Sequence, residues 1–155
     1  MQSFQPSAFN YIVNERATDI QIFKASGTWV KPANALFVRV CVWGGGGGGG
    51  AGSKATTDSI TGGGTGGGGG ARASLFFPAF SLPCNVPVTV GAGGAGGIAQ
   101  TAAPATGASG ANGGISSFGS CSSTYGALLA SGGGAGLGGR TADRKSTRLN
   151  SSRTD

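Results

Sequence analysis

The residues with the strongest claim to chemistry are glycines. Gly91-Ala-Gly93-Gly-Ala-Gly96 follows the apolar segment Val88-Thr-Val90 and satisfies G-x-G-x-x-G. In a dinucleotide site such glycines let the backbone approach a pyrophosphate at the start of a helix, and an acidic residue about 20 positions on holds the ribose. Here Pro104 interrupts the segment where that helix would run, and no Asp or Glu occurs between 59 and 142. Gly47 to Lys54 has the outline of a P-loop, but Ser53 separates Gly52 from Lys54 and Ala55 stands where Ser or Thr is required. Neither segment supports a nucleotide site.

Acid–base and nucleophilic chemistry are equally short of parts. The chain has no histidine, which removes every His-based triad, metal site and general base. Ahead of residue 143 the only acids are Glu15, Asp19 and Asp58. Glu15 and Asp19 read as a solvated pair. Cys41, Cys84 and Cys121 form no CxxC and read as small apolar side chains, with a Cys84–Cys121 disulfide left open. Gly138-Gly-Arg140 is a lone RGG-like fragment with no aromatic-basic signature of RNA binding. The expectation is a non-enzymatic chain with no cofactor, no metal and no nucleic-acid partner. No run of about 18 apolar residues is present to span a membrane, and the start MQSFQPSAFNYIV lacks the cationic and apolar regions of a secretory signal.

The elements that would position any site divide at Gly44. Of the 34 glycines in 155 residues, only Gly27 precedes it, against a usual share of about 7 %. Ala35–Trp43 alternates cleanly, with Leu36, Val38, Val40 and Val42 on one face and Phe37, Arg39, Cys41 and Trp43 on the other. That is the pattern of a strand with one face in a core. Asp19–Lys24 repeats it in shorter form, and Ser26-Gly27 and Lys31–Asn34 supply turns. Further strands are expected in Ser74–Leu82, bent at Pro78, in Val86–Val90 and in Tyr125–Ala130. Tyr11–Thr18 is weakly helical. The predicted fold is all-β: short strands in a sandwich-like core, with glycine-rich loops or packed polyglycine II-type helices between them.

The runs Gly44–Gly50, Gly62–Gly64, Gly66–Gly70 and Gly132–Gly134 admit two readings. As free linkers they would be mobile. As left-handed threefold helices, the polyglycine counterpart of polyproline II, they would pack closely enough for amides to bond between them. Ala and Ser punctuate the runs and apolar strands recur between them, which favours the packed form.

Phe23-Lys-Ala-Ser-Gly-Thr-Trp-Val-Lys-Pro32, the strand 35–43 and the run Gly44–Gly50 together resemble the glycine-rich domain of bacteriophage tail fibres and tail adhesins. Val86–Gly97 and Tyr125–Gly136 continue the resemblance, which covers about 20–140. It implies a virion-surface module, extracellular in action, that binds a bacterial surface glycan or outer-membrane protein and joins other fibre subunits, often as homotrimers. Lys54-Ala-Thr-Thr-Asp-Ser59 is the loop best suited to that contact, with Lys54, Thr56, Thr57 and Asp58 as its candidate residues. A structural glycine-rich protein of a cell surface or wall is the alternative, but the short fixed repeat of such proteins is absent. An ice-binding polyglycine bundle would need a regular Thr or Ala row.

Residues 143–152 resemble the translated read-through of a sequencing adapter over ten consecutive positions. The expected organisation is therefore a lead-in at 1–19, a glycine-rich β domain at 20–140 and a non-native tail at 141–155. Without 143–155 the net charge of +6 falls to +4. The tail is expected to be disordered or arbitrarily placed, with no pairing into the β core and no function: Leu149 is its only large apolar side chain, too little to offset ordering at about 1–2 kcal/mol per residue.

Overall fold

Apart from one short two-stranded ladder, the strands gather at one end of the molecule and the glycine runs extend from it. The computed structural model describes residues 18–56, 59–120 and 125–143. Its strands are β1 (Gly27–Val30), β2 (Phe37–Trp43), β3 (Ser59–Ile60), β4 (Arg72–Pro78), β5 (Asn85–Thr89), β6 (Ser116–Phe118), β7 (Leu128–Ala130) and β8 (Ala142–Asp143). A 3-10 turn, Ala79–Ser81, links β4 to β5. The fold is all-β.

An antiparallel sheet of order β1-β5-β6-β7 packs against the antiparallel pair β2-β4. The alternation in β2 works as its residue types demand. Val40 and Val42 are buried, while Phe37, Arg39 and Trp43 face out. On β5, Val86 and Val88 are buried and Val90 packs beside them. Trp29 and Phe118 close the core edge to face, with ring centroids 5.5 Å apart, and Phe77 lies 6.1 Å from Phe118. Lys31 Nζ donates to the carbonyls of Ala79 and Leu82 at 3.2 and 2.7 Å, tying the 3-10 turn to the end of β1.

Two expectations need correction. Asp19–Lys24 forms no strand: Ile20 and Ile22 are 75 % and 79 % exposed, with no facing strand to complete the pattern. The strand begins instead at Gly27, expected to be a turn residue, because Trp29 pairs opposite the fully buried Val86. Ala142 and Asp143, at the start of the expected tail, pair with Ile60 and Ser59 in a two-stranded ladder outside the β core. Leu149 and the rest of the tail lie outside the described residues, as do Tyr11–Arg16 and Ala17 of the expected helical stretch.

The glycine segments are ordered and interlock with a strict period of three. Five runs can be traced, at 44–54, 62–71, 91–97, 105–114 and 131–140. The amides of Gly44, Gly47, Gly50 and Ser53 donate to Ala71, Gly68, Thr65 and Gly62 of the second run. Those of Gly45, Gly48, Ala51 and Lys54 donate to Gly114, Ala111, Ala108 and Ala105 of the fourth. Carbonyls of the first run accept from Gly94 and Gly97 of the third and from Gly133, Gly136 and Gly139 of the fifth. The first run is thus the centre, bonded to all four others. Its partners advance by three residues per step, as in a threefold helix and unlike a strand of period two.

Close approach explains the glycines that face neighbours. A Cβ on Gly44, Gly47 or Gly50 would meet backbone of the fifth run, and one on Gly48 would meet Ala95 and Gly94. Among described glycines only Gly119 and Gly126 have positive φ, at 88° and 77°. Sterics between runs, not backbone conformation, therefore require glycine in the bundle.

Some amides of the fifth run are met by side chains instead of carbonyls. Thr65 Oγ1 accepts from Leu137 at 2.7 Å, Asn112 Oδ1 from Ala135 at 2.8 Å and Ser109 Oγ from Gly138 at 3.3 Å. Asn112→Ala is expected to cost about 1 kcal/mol, read as a melting midpoint lower by about 3–5 °C. An unchanged midpoint in a calorimetric scan would remove Asn112 from the architecture.

Candidate functional site

Connectivity gathers the links between runs at the end of the bundle away from the sheets. The first, third and fifth runs leave β2, β5 and β7 and travel in parallel, while the second and fourth return to β4 and β6. Among the described residues the far end therefore consists of Ala55, Thr56 and Ser59–Thr61, segment 98–104 and Thr141–Asp143. These loops stand on a bundle whose every run is bonded to others, the arrangement in which loops on a rigid support carry recognition.

Lys54 is the hinge pin of this tip. Its backbone bonds Ala105 in both directions at 2.9 and 2.8 Å. Its Nζ donates to the Thr101 carbonyl at 2.6 Å, so the first loop is fastened to the second. Lys54 was expected to be a contact residue. It is exposed, and one of its ammonium's three N–H donors is engaged in holding the tip together. Thr56 accepts at its carbonyl from Ser59 N at 3.1 Å, and the two hydroxyls lie 3.5 Å apart. Thr57 and Asp58 lie outside the described residues.

Segment 98–104 joins the site although the residue patterns did not single it out. Ile98 is 80 % exposed, and the stretch from Ile98 to Pro104 carries Gln100 and Thr101 between glycine runs. Its residue types gave little signal: like 54–59 it lies between glycine runs, but it is mostly small and apolar, with Gln100 and Thr101 as its polar side chains. Only the tertiary pairing of Lys54 with Ala105 makes the two loops one surface.

Beside the fifth run a shallow depression of about 390 Å³ is lined by Thr65, Thr106, Ser109, Leu137 and Arg140. The hydroxyls of Thr65 and Ser109 are spent on backbone amides, so it offers no acid–base pair. The amides a phosphate would use in the two glycine motifs are also engaged. Those of Gly47, Gly48, Gly50 and Ala51 bond neighbouring runs, and Gly91 N donates to Ser116 Oγ at 2.9 Å. Among the described residues no cluster of metal-ligating side chains occurs, and no helix is long and apolar enough to cross a membrane. Cys41 and Cys84 are free thiols; Cys121, the other end of the disulfide left open, lies outside the described residues.

A family profile described as a glycine-rich domain matches residues 20–153, which is most of the chain. The chain belongs to the glycine-rich domain family. The match covers the bundle and the sheets together, since it begins ahead of β1 and runs past β8. A search of curated proteins finds no match to the chain.

Proposed function

We propose that this glycine-rich domain is a non-enzymatic module of a phage tail fibre or tail adhesin, and that its tip loops contact a receptor on the bacterial surface. The observation that carries the reading is the fastening of 55–61 to 98–104 through Lys54, Ala105 and Thr101 on a fully interlocked bundle. A binding loop held in one conformation gives up less entropy on association than a free one. The resemblance of residues 20–140 to tail-fibre domains points the same way. The receptor is a surface glycan or an outer-membrane protein, and the module acts outside the cell as part of a virion.

The test is adsorption of the purified, fluorescently labelled chain to a broad bacterial panel. Binding to at least one strain is expected, in competition with the parental fibre. A variant combining Thr56→Ala, Thr57→Ala and Asp58→Ala should lower adsorption by about tenfold or more, equivalent to ~1.4 kcal/mol, at an unchanged melting midpoint. Adsorption that survives this variant and replacement of 99–103 by a Gly-Ser linker would remove the tip from recognition. If the parental fibre adsorbs and the chain binds no strain, the adhesin reading itself fails.

A further inference from the structure

The outward face of the β2–β4 pair carries chemistry that neither core nor tip uses. Register sets Arg39 beside Phe76, Cys41 beside Ser74 and Trp43 beside Arg72. Two of these rungs are stacked: the Arg39 guanidinium carbon lies 5.5 Å from the Phe76 ring centroid, and that of Arg72 5.5 Å from the Trp43 ring. A guanidinium lying over a ring keeps its N–H edges available for a carboxylate. The rings remain open too, with Phe37 73 %, Phe76 65 % and Trp43 60 % exposed. Scattered exposed apolar residues need no explanation, whereas a contiguous aromatic face marks a place of interaction.

Charge selects the occupant. Neither strand contains an acid, and the sequence has none between 59 and 142. The same face of a second copy of the chain would therefore set arginines against arginines. The partner must be anionic, and it must offer flat apolar surfaces to rings set along a strand. The two stacked rungs are four residues apart, about 13 Å. A carboxylate-bearing polysaccharide meets both demands, with C–H faces of its sugar rings for the aromatics and carboxylates for the guanidinium forks.

The geometry points to a second binding surface, the outer face of β2–β4, for an acidic polysaccharide of the polyuronate class. It lies at the opposite end of the molecule from the tip loops and holds whether or not the tip binds a bacterial receptor. Cys41 at the middle rung provides a built-in reporter. Its Sγ lies 3.2 Å from the Ser74 hydroxyl, and that hydrogen bond, followed by Arg72 and Arg39, holds the thiol below its usual range despite some desolvation.

The experiment titrates the full chain with polygalacturonate at low salt. Trp43 is exposed and Trp29 buried, so a fluorescence change reports the face itself. Saturable binding is expected, with alkylation of Cys41 slowed relative to Cys84. Arg39→Ala combined with Arg72→Ala should weaken binding by about tenfold or more, whereas Lys24→Ala combined with Arg140→Ala, an equal loss of charge elsewhere, should not. Trp43→Phe should keep binding and lose the signal. The proposal is overturned by no binding, by equal binding of neutral dextran, or by a Arg39/Arg72 variant that melts normally and binds as before. Polyglutamate binding as tightly as polygalacturonate would overturn the assignment to a polysaccharide.

Discussion

Gly48→Ala is expected to disrupt the bundle, while Gly66→Ala is expected to be tolerated. Gly48 is buried in the central run, donating to Ala111 O and accepting from Gly136 N, each at 2.8 Å. A Cβ there would press on the carbonyls of Ala95 and Gly94. Both are backbone, so relief requires the first and third runs to separate. That strains the bonds from Gly94 to Gly46 and from Gly97 to Gly49, both 2.8 Å. The cost should reach or exceed about 3 kcal/mol, the upper part of the range for overpacked interiors. A Cβ on Gly66 meets nothing within 4 Å, and alanine there loses less chain entropy on folding than glycine does. Its midpoint should be unchanged or slightly raised. Paired melting curves decide the matter, and equal losses in the two variants would refute the interlocked arrangement.

Phe118→Ala should be the most damaging change at the sheet end. Phe118 is 5 % exposed and touches both halves of the core, through Trp29 on β1 and Phe77 on β4. Truncation removes two ring contacts and leaves a cavity, which for a buried phenylalanine costs about 3–5 kcal/mol. In a domain of this size the midpoint should fall by on the order of 10 °C or more. Phe76→Ala is the internal comparison. Its ring is on the outer face of the same strand pair, so the midpoint should move little. A small effect at Phe118 would mean that β6 does not join the two sheets.

Much of the β core was legible because its strands advertise themselves locally. Val38, Val40 and Val42 must share a face whenever the chain is extended, and so must Val86 and Val88. Asp19–Lys24 carried the same alternation and forms no strand, because a period of two states only which residues would share a face, not whether a partner strand exists. Ser116–Phe118 went unnoticed for the converse reason. Three residues carry almost no period, and β6 exists through its ladders with β5 and β7. At the tip, the composition of 54–59 marked a loop, but Lys54 turned out to be a fastening because Thr101, 47 residues away, supplies its acceptor.

By itself the sequence determined the division at Gly44, the inward and outward faces of β2 and β5, and the absence of the side chains that histidine-based chemistry requires. Each is a property of residue type and local spacing. Only the tertiary structure decided that the glycine runs form one bundle and which of their glycines are indispensable. Polyglycine has no side chains with which to encode a face. Gly48 and Gly66 are identical in the sequence, and only the backbone of a neighbouring run distinguishes them.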